Sequence, residues 1–481
     1  MNPSRLRTRT LVQRALYPDR SNLTARVISG VAWQFGLSAF RVALTVASTA
    51  ILARLLTPTD YGLVAMTTLV VEVGALLANL GFGAILVQKQ RLNRLDLDTA
   101  FWVSLGIGVV LVLFVGLASY PAAMVFDQPT IVGMLWVSAL AFIFQGILVV
   151  PTAVLHRLLL FRTEVLLSVG QLVARAAAAI LLAWLGAGYW SLVIAPLIAA
   201  ALGSLVLLVL VGYRPRLRFN RRFLETHWKT SGSYLGSGVL HYLLANFDYF
   251  VVGRRFGPEQ LGFYQIAYSL PDELRNRVSG PLQRVLFPAY SLLQNDLPAF
   301  RRAVARSQKL LSAVVLPAGA GLALVAKDLV PVLYGESWLA VIPLLQILAC
   351  GGALRALFSL VASIYYAVGR PDLAFKISLI SAPFVVVAIL LGSVWGVLGV
   401  AWAMIVVMVP SFFAAHFAMR LIEASVFDFL LAVRPAVMAT LAMAVGILFL
   451  QSAPFIKTPE IGGLFLEVVF GALLYAACLA I

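Results

Sequence analysis

Several ionisable side chains lie inside stretches of this 481-residue chain that are otherwise apolar: Arg41, Glu72, Arg175, His241, Asp248, Asp272, Glu273, Arg275, Arg277, Arg284 and Arg355. An ionised group at the centre of a bilayer costs at least about 2.5–3.5 kcal/mol, so such residues face a polar cavity or one another. Two kinds of chemistry follow. Arginine holds phosphate and pyrophosphate through paired hydrogen bonds, and the six arginines at depth outnumber the acids among them, which calls for an anionic ligand. The carboxylates Glu72, Asp248, Asp272 and Glu273 can titrate or hold a sodium ion, so H+ or Na+ is the candidate coupling ion. Static ion pairs that join helices, Arg41 with Glu72 for example, are the plainer alternative.

Helical spacing sorts these groups onto faces. His241 and Asp248 are seven apart and share a face, as do Glu72 and Asn79. Asp272, Asn276, Ser279 and Gln283 form one stripe, and Glu273, Arg277 and Arg284 form a second on the same segment. A helix that is polar around so much of its girth cannot face lipid, and it must line water or be enclosed by protein. Signals for enzyme chemistry are missing: there is no Walker loop, HExxH or GxSxG, and the four histidines (His156, His227, His241 and His416) lack metal-ligand spacing. The expectation is therefore no enzyme, no metal and no cofactor.

The elements that position these groups follow from composition. With 62% hydrophobic and 12% charged residues the chain reads as an integral membrane protein, and apolar runs too long for barrel strands must be helices. A net charge of +16 would suggest nucleic acid in a soluble protein, but here its placement reports topology and no nucleic acid is expected. Cys350 and Cys478 both fall in apolar runs and read as small fillers.

The first apolar run starts at Val27, behind Arg5, Arg7, Arg9, Arg14, Arg20 and Arg26, and it is too long for a signal-peptide core. It reads as a retained first helix with a cytoplasmic N-terminus. Fourteen spans are expected, at 27–53, 61–87, 99–119, 130–155, 164–186, 188–212, 231–256, 261–288, 306–326, 338–367, 373–392, 394–421, 430–451 and 461–481. Loops that are cytoplasmic on this count hold 25 Lys and Arg, and outer loops hold five (Arg54, Arg254, Arg255, Lys327 and Lys457), as the positive-inside rule requires. Both termini are then cytoplasmic. The last run continues to Ile481, so a further tail beyond it is compatible with the sequence.

The organisation expected is a basic tail (1–26), an N-lobe of six helices (27–212), a basic linker (213–230), a C-lobe of six helices (231–421) and an appended pair (430–481). Two parallel six-helix lobes around a central cavity are common among transporters. A doubled motif supports the repeat: RLLTPTDYG at 54–62 and RRFGPEQLG at 254–262 share Arg54/Arg254, Pro58/Pro258 and Gly62/Gly262. Turn chemistry accounts for these residue types, which are expected to shape the outer turns. The offset of 200 also matches Arg41 to His241 and Glu72 to Asp272, as walls of one cleft would.

Fourteen helices, two lobes, RLLTPTDYG followed by GLVAM, and GRRFGPEQLGFYQIA together resemble the Wzx-type polysaccharide flippases of the multidrug/oligosaccharidyl-lipid/polysaccharide exporter superfamily. The resemblance covers essentially the whole chain. It implies transfer of an undecaprenyl-pyrophosphate-linked oligosaccharide across the bacterial inner membrane for exopolysaccharide, lipopolysaccharide or capsule synthesis, by alternating access. It also implies membrane lipids, a polymerase and a chain-length regulator as partners. By position, Arg41, Arg275, Arg277 and Arg284 would take the pyrophosphate and sugars, with Arg175, Arg355 and His241 as further cavity groups. A multidrug-type or other small-molecule exporter of the same fold is the alternative, although drug cavities favour acids. A membrane-embedded ligase or polymerase, which would need a large outer loop, is the second.

Overall fold

The computed structural model describes residues 11–16, 36–78, 82–90, 92–220, 239–452 and 461–480. Every regular element among the described residues is a helix, and the chain forms two compact units, Met1–Asn246 and Phe247–Ile481. Of the residues singled out in the sequence, most of the basic tail, the start of the first and seventh spans, Asn79, Arg91, the 221–230 half of the linker with His227, and Lys457 lie outside the described residues.

The first unit contains α1 (Leu11–Leu16), α2 (Ser38–Leu55), α3 (Pro58–Ala78), α4 (Phe82–Gln88), α5 (Arg94–Phe126), α6 (Thr130–Ala139), α7 (Ala141–Arg157), α8 (Phe161–Trp184) and α9 (Trp190–Val211). The second contains α10 (Phe247–Leu292), α11 (Leu297–Leu324), α12 (Ala326–Tyr334), α13 (Val341–Leu357), α14 (Val361–Ala367) and α15 (Pro371–Gly392). After these come α16 (Gly396–Val406), α17 (Met408–Leu421), α18 (Val426–Ser452) and α19 (Ile461–Ala480). Eleven helices among the described residues are long and apolar enough to cross a membrane. One of these, 371–421, breaks at Gly396 (φ 78°) and holds two spans. The charged α10 is not among the eleven, and it breaks at Gly257 (φ 82°) into two arms.

The doubled motif works differently from the turn chemistry expected of it. Arg54 closes α2 and Pro58 opens α3, but the turn between them is held by Thr57 and Asp60. Thr57 N and Oγ1 donate to Asp60 Oδ2 at 2.9 and 2.7 Å, so the acid satisfies the open helix end. In the second copy the left-handed residue is Gly257, immediately before Pro258, a position where a side chain would be strained. Gly62 and Gly262 shape neither turn. Both lie one helical turn further in and are buried.

One end of the first unit, the end that carries α1, is a polar fastening around an apolar core. Val12 and Ala15 of α1 are buried with Phe82, Leu86, Leu97, Val150, Leu207 and Tyr213, so part of the basic tail is built into the fold. Arg157 donates to five main-chain carbonyls, those of Ala15 (2.7 Å), Leu86 (3.1 Å), Val87 (3.2 Å), Lys89 (2.6 Å) and Gln90 (3.0 Å). It thereby satisfies the open C-terminal end of α4 and fixes α1 against it. Residues 213–220, the first half of the expected linker, lie along the start of α5. Tyr213 Oη donates to buried Asp98 at 2.9 Å, Trp102 Nε1 to Arg216 O at 3.0 Å, and Asn220 N to Thr99 Oγ1 at 2.9 Å. Burial and the Asp98 acceptor push the Tyr213 hydroxyl well above the usual phenol range, so it remains a donor.

Helices α5 and α7 meet backbone to backbone at two glycines. A Cβ at Gly108 would stand 2.5 Å from Phe142 O, and one at Gly146 would stand 2.6 Å from Ser104 O. At Gly170 of α8, in contrast, a Cβ would meet nothing within 4 Å. Gly146→Ala is therefore expected to reduce monodisperse protein on fluorescence-detected size exclusion, whereas Gly170→Ala keeps it. Equal profiles would contradict this packing.

Candidate functional site

In the first unit two of the cationic groups meet one face of α8. Arg41, in the first turn of α2, donates to Ser168 Oγ of α8. The pairing of Arg41 with Glu72 considered from the sequence is not formed. Arg175 is seven residues beyond Ser168, so it shares that face about 10 Å further along the axis. It is exposed and has no hydrogen bond or ion pair with any described residue. Glu72 is exposed on α3 and lies near Tyr242, while His241 is exposed on the helical stretch 239–245. Two arginines from two helices, Arg41 of α2 and Arg175 of α8, thus meet one face of α8 with no carboxylate bonded to either among the described residues, an arrangement that suits an anion.

In the second unit the charges are mostly paired, which moderates the surplus expected on the eighth span. Asp272 accepts from Arg275 at 2.6 Å and from Asn276 Nδ2 at 2.9 Å. Glu273 accepts from Arg277 Nε at 2.8 Å. These are the i,i+3 and i,i+4 partners that helical geometry favours. Ser279 is buried and its hydroxyl has no partner among the described residues, so the Asp272–Gln283 stripe is not one open path. Arg284 is exposed and has no described partner. At the helix end Arg254 is exposed, and Arg255 donates to Ser393 Oγ at 2.6 Å.

A tyrosine cluster that the sequence reading missed links the remaining charges. Asp248 is 1% exposed and accepts from Tyr264 Oη at 2.7 Å. Tyr249 meets Tyr264 and Tyr268 edge to face, at centroid distances of 5.3 and 5.6 Å. Arg355 of α13 donates to Tyr268 Oη and is close enough to attract both Asp248 and Asp272. A narrow cleft beside this chain of alternating charge is lined by Tyr268, Asp272, Arg275, Gly351, Arg355 and Met404. Tyr264 and Tyr268 are four apart and follow Gly262, so their spacing was a readable signal, but only the structure brings Arg355 to them.

Charged groups missed by the sequence reading are fewer. Glu467, the one charged residue of the 461–481 run, is fully buried on α19. No group of three metal-ligating side chains occurs among the described residues.

Removing one partner of a buried charged network leaves the other uncompensated, which costs about 3–5 kcal/mol. Arg355→Gln is expected to lower the thermal midpoint of the purified protein in detergent by many degrees. Combining it with Asp248→Asn should recover a large part of the loss. Strictly additive single effects would show that the two groups are not coupled.

A family model described as polysaccharide biosynthesis protein matches residues 51–343. The chain is 25% identical over 406 residues to the lipopolysaccharide biosynthesis protein WzxC of Escherichia coli (strain K12), covering 83% of this chain and 82% of that one. It is 27% identical over 350 residues to the succinoglycan biosynthesis transport protein ExoT of Rhizobium meliloti (strain 1021), covering 72% and 70%. Its fold is similar to that of a solved structure of the lipid II flippase MurJ in an inward closed conformation. That match has a TM-score of 0.71 at 14% identity and covers 94% of this chain and 98% of the other. The family match spans more than half of the chain, so this protein belongs to the polysaccharide biosynthesis protein family.

Proposed function

We propose that the protein moves undecaprenyl-pyrophosphate-linked oligosaccharide repeat units across the bacterial inner membrane, from the cytoplasmic to the periplasmic leaflet, by alternating access. The observation that carries this reading is that Arg41 of α2 bonds to Ser168 on the face of α8 that also carries Arg175, with no carboxylate bonded to either arginine among the described residues. A pyrophosphate is a strongly charged group that cannot enter hydrocarbon unaided, and guanidinium groups replace its water with charge-assisted hydrogen bonds. Arg284 adds a third cation with no described partner. Arg275 and Arg277 can serve once their carboxylates exchange them for the ligand. The isoprenoid tail stays in the bilayer throughout, so only the headgroup needs a polar path. Glu72, Asp248, Asp272 and Glu273 are the carboxyls through which H+ or Na+ would couple. The names of the relatives support the pathway: a lipopolysaccharide biosynthesis protein, a succinoglycan transport protein and a lipid II flippase. A polymerase and a chain-length regulator would take the product.

The test is complementation of a strain that lacks its own flippase for this substrate class. Arg41→Ala, Arg175→Gln and Arg277→Ala should each lower polymer yield about tenfold or more, the loss of one charge-assisted contact. The amount of protein in the membrane should be unchanged, and Arg175→Lys should retain part of the activity. Full polymer yield from all three variants would sink the assignment.

A further inference from the structure

Glu467 is 0% exposed on α19, and neither carboxylate oxygen has a hydrogen-bond partner among the described residues. Three helices pack against α19, namely α11, α12 and α18. From α18 comes Gln451, which lies beside the carboxyl and whose amide nitrogen donates to Leu324 O at 3.2 Å. From α12 comes Asp328, near enough for the two carboxyls to repel, with Lys327 next to it in the chain. The basic residues of α11, Arg301, Arg302, Arg306 and Lys309, lie towards the other end of that helix, as do Asp428 and Arg434 of α18. On α19 itself the other titratable groups are Tyr475, which donates to Ala313 O at 2.9 Å, and Cys478.

No cation among these groups reaches Glu467, and a bare carboxylate enclosed beside a second carboxyl is strongly disfavoured. Something must neutralise it. A hard metal cation wants a shell of about six oxygens, whereas Leu324 O is already taken and only Asp328 and the Gln451 amide oxygen remain. A proton needs a single acceptor, and that amide oxygen can be it. We propose that Glu467, with Gln451 and Asp328, forms a proton-binding site at the end of the α18–α19 pair, and that it exchanges its proton with water through the part-exposed Asp328. Burial raises the Asp328 carboxyl above its ordinary value, with Lys327 opposing. In the orientation given by the loop charges, this end of the pair faces the outer side. A proton loaded there could then drive movement of substrate in the opposite direction. That role rests on the flippase reading, but the site itself does not.

The experiment uses the full-length protein in lipid nanodiscs treated with dicyclohexylcarbodiimide, which adds to protonated carboxyls in apolar surroundings. Modified peptides are read by mass spectrometry, without any transport measurement, so the result is separable from the flippase assignment. Glu467 should carry the label, the labelled fraction should fall as pH rises, and exchanging sodium for choline at fixed pH should leave it unchanged. Glu467→Gln should lose that label while keeping the thermal midpoint of the parent protein. Absence of label on Glu467, labelling indifferent to pH, or protection by sodium would each overturn the proposal.

Discussion

Taking a guanidinium or a carboxylate out of water is the largest single cost this chain bears, and its polar architecture is arranged around meeting it. Three solutions recur. Where an acid lies three or four residues from an arginine on the same helix, the two neutralise one another, as with Asp272 and Arg275 or Glu273 and Arg277. Where no acid is available, neutral oxygens are recruited: Ser168 for Arg41, Tyr268 for Arg355 and Tyr264 for Asp248. Where neither is done, as for Arg175 and Arg284, the side chain remains exposed. The third group is the informative one, because a charge left open inside a membrane protein is free to meet a charged ligand.

The two units use these solutions unequally. The first keeps Arg41 of α2 and Arg175 of α8 apart from acids, against one face of α8. The second bonds three arginines and three carboxylates to one another or to a tyrosine cluster, and most of its charge is spent internally. The difference fits a division in which the first unit offers fixed positive charge while the second holds groups whose partners can be exchanged.

Much of this organisation follows from the order of residues. Run length placed most spans on observed helices, because twenty apolar residues have one way to satisfy their backbone in lipid, but the ends differ by up to nine residues where a helix runs on past its apolar stretch, as α11 (Leu297–Leu324) does against the expected 306–326. The partners of Arg275 and Arg277 were implicit in spacing on one helix. What spacing could not supply was which helix lies opposite which. Ser168 takes Arg41 across 127 residues, and Tyr268 meets Arg355 across 87. The doubled motif misled for a related reason: its conserved-looking glycines sit inside helices, while the turns are made by Thr57 with Asp60 and by Gly257, which the two copies do not share. Glu467 was visible as the one acid of its run, but its isolation becomes apparent only when the neighbouring helices are in place.

Arg157 shows how one residue can be used by two processes at different times. While the chain is being inserted, its charge is one of those that the positive-inside rule counts in orienting the loop after α7, and any cation would serve. After assembly the same side chain grips five carbonyls from α1 and the end of α4, a task that depends on the reach and shape of its fork. All of its acceptors are uncharged, so its positive charge survives folding instead of being cancelled by an acid. The fastening is therefore less sensitive to ionic strength than a salt bridge would be, and this end of the unit keeps its positive charge after folding.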